Sequence, residues 1–171
     1  MNNPMRLILS VALAASLAAC SKKVVHDETP PAEDTPPTAE VVKDMDDGKF
    51  DASDLDTDSC LRQRVVYFEF DKAEIGSDAQ AILACHGKYL TDRPSAAMTL
   101  EGHADERGTR EYNLGLGERR GNAVSSALQA NGGSASQLNV VSYGEERPTC
   151  ADSSEDCWGK NRRVEIVYTA K

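Results

Sequence analysis

Between Glu101 and Arg120 the chain places an acid, Asp105, in a loop bounded by Gly102 and Gly108, and a base, Arg120, on the helical segment that follows. A carboxylate and a guanidinium held apart at one crevice suit a ligand that carries both an ammonium and a carboxylate. The guanidinium presents a planar fork to an anion, and the acid accepts from a cation. The same stretch lacks what catalysis needs. No Gly-x-Ser-x-Gly is present, and His103 and Asp105 stand on an extended segment with no serine set against them. No C-x₂-C or H-x₃-H spacing occurs, so neither a metal nor a cofactor is expected, and the chain is read as a binder with no catalytic residues.

Positioning that pair requires a scaffold. Residues 65–70, Val-Val-Tyr-Phe-Glu-Phe, are β-branched and aromatic and predict a strand. Ser77 is placed to cap a helix over residues 78–90, where Ala79, Ile82, Leu83, His86 and Leu90 recur at helical spacing. Met98 and Leu100 alternate with polar residues as a second strand running to Gly102. Residues 111–131 carry the longest helical pattern, stopped by Gly132 and Gly133. On that helix Leu114, Gly121, Val124 and Leu128 share an apolar stripe, while Asn113, Leu116 and Arg120 fall on a bordering face that looks toward the Asp105 loop. Residues 138–143 and 163–169 read as two further strands, with a polar loop over residues 144–158. The order β-α-β-α-β-β predicts an α+β fold, a two-layer sandwich in which two helices cover a small mixed sheet.

The N-terminus has a different character. Arg6 precedes an apolar run over residues 7–19, whose helical length of about 20 Å falls short of the roughly 30 Å hydrocarbon core of a bilayer. Residues 1–19 therefore read as a signal peptide. The run ends Leu17-Ala18-Ala19-Cys20, which resembles the cleavage and lipidation box of bacterial lipoproteins. That resemblance implies lipidation of Cys20, and several acyl chains anchor firmly where one would be marginal. Ser21, in place of the Asp associated with inner-membrane retention, implies an outer-membrane anchor with the remainder in the periplasm. Residues 20–58 combine Pro30, Pro31, Pro36 and Pro37 with dense acids, and are expected to form a disordered tether to a folded domain over residues 59–171.

From residue 21 to 58 twelve acids meet four lysines, net −8, whereas residues 59–171 hold sixteen acids and fourteen bases, net −2. A nucleic-acid binder is expected to carry a basic field, so DNA and RNA are excluded as main partners. Apart from Cys20 there are four cysteines, in a chain expected to enter an oxidising compartment. Three pairings are open. Cys150 with Cys157 would close a short loop and Cys60 with Cys85 would tie the first strand to the first helix, so that pair of bridges is favoured.

Several spaced segments, in order, carry a family resemblance. Phe68-Glu69-Phe70-Asp71, residues 102–109 (Gly-His-Ala-Asp-Glu-Arg-Gly-Thr), residues 113–120, Val141-Ser142-Tyr143-Gly144 and Asn161-Arg162-Arg163-Val164-Glu165 resemble the OmpA-like peptidoglycan-binding domain. With the lipidation box and tether, the whole resembles the lipoprotein branch of that family. The resemblance implies an OmpA-C-like fold and a peptidoglycan stem peptide as ligand, held through meso-diaminopimelate. Asp105 then takes the ammonium and Arg120 the carboxylate, with Phe70, Asp71, Asn113 and Leu116 lining the pocket and Arg162 on its ligand side. Arg163 and His103 are assigned structural roles, the His103 side chain hydrogen-bonded to hold its loop, and Trp158 is placed to narrow the mouth. The resemblance also implies a link between outer membrane and cell wall in the Tol-Pal system of envelope integrity and division. A second implied role is docking of a TolB-like periplasmic protein or other Tol partners, with wall contact secondary. Gly121 stands where alanine is commoner in the family.

Overall fold

The structure, a computed structural model, describes residues 48–171. The expected signal peptide, Cys20 and most of the tether lie outside the described residues. The elements are α1 (Asp54–Thr57), β1 (Val65–Tyr67), α2 (Ser77–Asp92), β2 (Ala97–His103), α3 (Arg110–Ala130), a 3-10 turn (Ala135–Gln137), β3 (Leu138–Gly144), α4 (Glu155–Asn161) and β4 (Arg163–Ala170). The strands form one mixed sheet in the order β1-β4-β2-β3. β4 runs antiparallel to both β1 and β2, and β2 runs parallel to β3. The parallel pair follows from α3, which is long enough to carry the chain back across the sheet between them.

Alternation along the strands builds the core. Met98 and Leu100 of β2 and Val164 and Ile166 of β4 point to one face, where Leu83 and Leu90 of α2 and Val124 and Leu128 of α3 cover them. The two expected faces of α3 are one continuous buried stripe containing Asn113, Leu116, Gly117, Arg120, Gly121, Val124 and Leu128. Leu114, expected in that stripe, is only half-buried. The helix can lie close because glycines face the sheet: a Cβ on Gly102 would stand 2.0 Å from the Gly117 carbonyl oxygen. One turn further, a Cβ on Gly121 would stand 2.6 Å from a Val140 methyl. Gly121→Ala is thus expected to lose about 1–2 kcal/mol of stability by overpacking, despite a helix-propensity gain of up to about 1 kcal/mol. Urea denaturation checks this, and an alanine variant as stable as the parent would contradict it.

Four expectations need correction. The tether was expected to run to Asp58, yet the chain is packed earlier: Leu55 of α1 is fully buried in the core, and the Phe50 N–H donates to the Asp92 carboxylate at 2.9 Å. Two or three apolar residues are enough to dock a polar segment. The first strand stops at Tyr67 instead of Phe70, because the chain turns at Glu69–Lys72 with Asp71 at φ +58°. Ser77 is the first helical residue of α2, not its cap, and Gly76 takes the cap position. The expected polar loop contains α4, whose Ser154 hydroxyl accepts from the Cys157 N–H and whose first turn carries Glu155 and Asp156, the acids a helix N-terminus favours.

Cys60 is bridged to Cys85 and Cys150 to Cys157. The first bridge spans 25 residues and fastens the approach to β1 onto α2. A closed loop of that length is worth about 3.5 kcal/mol in unfolded-state entropy. The second holds the segment before α4 against that helix, with Cys157 buried.

Candidate ligand-binding site

The end of β2, the β1–α2 loop and the first half of α3 converge on the Arg120 guanidinium. Its Nε donates to the Lys72 carbonyl (2.8 Å), Nη1 to that of His103 (2.8 Å) and Nη2 to that of Glu69 (3.1 Å). The positive φ of Asp71 swings both the Glu69 and Lys72 carbonyls toward it, a conformation that Asp tolerates better than most residues. Arg120 is fully buried, and burial lowers its pKa to about 10, helped by repulsion from Arg162 and opposed by Asp105 and Asp71. It is still charged at neutral pH. Of its five N–H groups, three serve carbonyls and two remain for a ligand.

Asp105 is 4% exposed and accepts four hydrogen bonds. Oδ1 takes the Arg107 backbone N–H and Nε, both at 3.1 Å, and Oδ2 takes Arg107 Nη2 at 2.6 Å and Arg162 Nη1 at 3.2 Å. Burial pushes its carboxyl upward, but the bonds from Arg107 and Arg162 outweigh this and hold it below the ordinary carboxylate range. The Arg107 guanidinium itself packs on two rings, 4.0 Å from the centre of the Phe70 ring and 4.1 Å from that of Trp158. Trp158 is fixed by its indole N–H, which donates to Glu106 at 3.0 Å.

Arg120, Asp105, Arg107 and Phe70 border a cavity of about 260 Å³. Phe70, Asp71, Asp105, Asn113, Leu116 and Arg120, all named from the sequence, line it together. Asn113 is buried, and its amide donates to the Asp105 carbonyl at 3.1 Å, which fixes the loop to α3. Leu116 supplies an apolar patch, and the half-exposed Phe70 a side wall.

Arg162 does not line the cavity. It lies behind Asp105 as an internal counter-ion, its Nε also donating to the Phe68 carbonyl (3.0 Å) and its Nη2 to Glu155 (2.7 Å). Arg163 is buried against Glu165 at 2.6 Å. Trp158 lies outside the lining and packs on Arg107 instead. Sequence reasoning missed Arg107, Gly108 and Tyr112, all of which line the cavity, and the Tyr112 hydroxyl donates to the Asp71 carboxylate. A cation two residues after the key acid was the one available signal for Arg107.

His103 also departs from expectation. Its ring is 1% exposed, packs 5.6 Å from the Tyr143 ring, and has no hydrogen-bond partner at either nitrogen among the described residues; its backbone carbonyl is what holds the site, through Arg120. Burial, with Arg163 and Arg147 adding repulsion, lowers its pKa to about 4. The unfolded chain takes that proton near pH 6.5, so this contribution is complete above that pH and lost as pH falls toward 4. His86, lowered by burial, acts in the same direction. His103→Leu is expected to lose roughly 3 kcal/mol less than the parent between pH 7 and pH 4. Parallel stability–pH curves for the two would contradict it.

The sequence model of the OmpA family matches residues 67–162, the span that holds every lining residue of the cavity. The chain belongs to the OmpA family. Within that family its relatives include the peptidoglycan-associated lipoprotein of Haemophilus influenzae, 45% identical over 107 residues, covering 63% of this chain and 70% of the relative. The corresponding lipoprotein of Pseudomonas aeruginosa is 45% identical over 120 residues, 70% of each chain. The crystal structure of the peptidoglycan-associated lipoprotein from Burkholderia pseudomallei superposes with a TM-score of 0.65 at 41% identity, covering 67% of this chain and 97% of that one. The C-terminal domain of Helicobacter pylori MotB, at 24% identity and a TM-score of 0.55, shares the OmpA-family fold. The mixed four-stranded sheet with its helices is thus the α+β architecture expected from the sequence.

Proposed function

We propose that this OmpA-family chain is an outer-membrane lipoprotein that binds peptidoglycan without covalent linkage and without catalysis. Residues 1–19 are its signal peptide, Cys20 its lipidated residue, and the chain from Cys20 to the packed segment at Phe50 its tether, which leaves the domain in the periplasm. The ligand is the stem peptide, engaged at meso-diaminopimelate. Asp105 takes the ammonium of its distal carbon, Arg120 the carboxylate, and Phe70, Asp71, Asn113 and Leu116 enclose the connecting carbons.

The observation that carries this is the charge arrangement. A buried guanidinium with two unspent N–H donors and a buried carboxylate line one cavity, and among the described residues Arg120 forms no ion pair of its own. An anion is the missing counter-charge. Cosedimentation with purified sacculi tests it: the parent protein is expected in the pellet and Asp105→Asn in the supernatant, whereas equal pelleting would refute the assignment. Release of soluble wall fragments during the incubation would refute the non-catalytic reading.

A second role is supported by the exposed aromatics at the rim, Phe70 at 53% and Tyr112 at 45%. Exposed rings beside a charged cavity suit a protein surface as well as a glycopeptide. A TolB-like partner of the Tol-Pal system docking there would compete with the wall, which ties membrane–wall attachment to envelope integrity and division. Loss of partner capture on saturation with muropeptide is the expected sign.

A further inference from the structure

The carboxylate that should receive the ligand's ammonium is already full. An ionised carboxyl offers about four lone-pair positions, and Asp105 spends all of them, three on Arg107 and one on Arg162. A new cation can enter only if a donor leaves. Arg162 is badly placed to do so, since its side chain is 8% exposed and also holds Phe68 and Glu155. The Arg107 backbone N–H belongs to the loop turn. The Arg107 side chain is 30% exposed and reaches the cavity.

We propose that the Arg107 guanidinium is a built-in stand-in for the ligand's ammonium, occupying Asp105 in the free protein and yielding it when ligand binds. The inference rests on the assignment of Asp105 and Arg120 as the zwitterion site. The surroundings provide for the exchange. Glu155, 63% exposed, stands 3.4 Å from Nη1 and offers a second carboxylate. The Phe70 and Trp158 rings, 4.0 Å and 4.1 Å from the guanidinium, let it shift between the two acids while keeping cation–π contact. Asp105 is therefore never left bare and buried, which would cost several kcal/mol.

The device also selects. A neutral side chain cannot replace Arg107 on Asp105, and a lone ammonium replaces it without supplying an anion for the two idle donors of Arg120. Only a ligand end with both charges satisfies both groups. Apparent affinity is reduced by the fraction of molecules in which Arg107 holds the site.

Calorimetric titration of the detergent-solubilised full chain with a diaminopimelate-containing tripeptide and its lysine analogue tests the exchange. Arg107→Ala is expected to bind the first at least about fivefold more tightly than the parent, with a smaller gap to the second. Asp105→Asn is expected to bind neither. An Arg107→Ala protein with unchanged thermal midpoint that binds no better than the parent would overturn the stand-in while Asp105 dependence kept the site. If Asp105→Asn binds like the parent, the site assignment fails and the stand-in with it. The Arg107 Nε–H resonance gives an independent readout: a shift on saturation with the tripeptide is expected, and an unmoved resonance in a saturated sample counts against the exchange.

Discussion

Asp105→Asn is expected to abolish wall binding while the fold survives. The substitution keeps the shape of the side chain and removes its charge, so a bound ammonium would be desolvated with no counter-charge. Truncating one side of such a pair costs about 2–5 kcal/mol, a loss of roughly 30-fold to several thousandfold in affinity. The fold suffers less, because Arg162 retains Glu155 and the Phe68 carbonyl. An amide facing arginine N–H groups loses part of its hydrogen bonding, which amounts to about 1–3 kcal/mol. Sacculus cosedimentation reads the first effect and a urea midpoint the second. The pH behaviour has a definite sign. With its pKa held below the ordinary value, Asp105 contributes stability that is present above the unfolded carboxyl pKa and lost as pH falls through the folded one. Its binding charge therefore persists through mildly acidic conditions, in which the histidine contribution is already falling.

Arg120→Ala is expected to damage the fold as well as binding. Three carbonyls, Glu69 and Lys72 of the β1–α2 loop and His103 at the end of β2, converge on this side chain, and its removal leaves a polar void at the junction of β2, α3 and that loop. The bonds go to a charged donor, so the combined loss is roughly 3–5 kcal/mol, short of the sum of three because water enters the void. Arg120→Lys keeps the charge but cannot reach three carbonyls and an anion at once. It is expected to fall between alanine and the parent in stability and still to fail in binding. Urea denaturation of the three proteins separates the roles, and an alanine variant that unfolds at the parent's midpoint would contradict the stapling role.

The parts of this fold that were legible in the sequence share one property: their signals are periodic or adjacent. The alternation of Met98 with Leu100 and of Val164 with Ile166 marked strands, and the spacing of Val124 and Leu128 marked the longest helix. Asp105 and Arg120 could be paired because one follows a strand and the other sits on the next helix. What was illegible depends on contacts between distant residues. α4 lacks an apolar stripe and is held by the Cys150–Cys157 bridge, the Ser154 cap and Asn161, whose side chain binds the backbone of Thr149 and Cys150. α1 depends on Leu55 alone reaching the core. Arg162 and Arg163 are neighbours with the same charge, and only the sheet register directs one toward Asp105 and the other toward Glu165. His103 looked like a hydrogen-bonded brace, but among the described residues neither of its ring nitrogens has a hydrogen-bond partner.

The central claim is that one cavity reads both charges of a zwitterionic stem-peptide end. The most direct measurement is a calorimetric titration with two muropeptides that differ only at the third residue, diaminopimelate in one and lysine in the other. The lysine form keeps the ammonium for Asp105 and lacks the carboxylate for Arg120. Loss of that charge-assisted contact corresponds to about 1.5–3 kcal/mol, so the diaminopimelate form is expected to bind at least about tenfold more tightly. Equal affinities for the two would contradict the account.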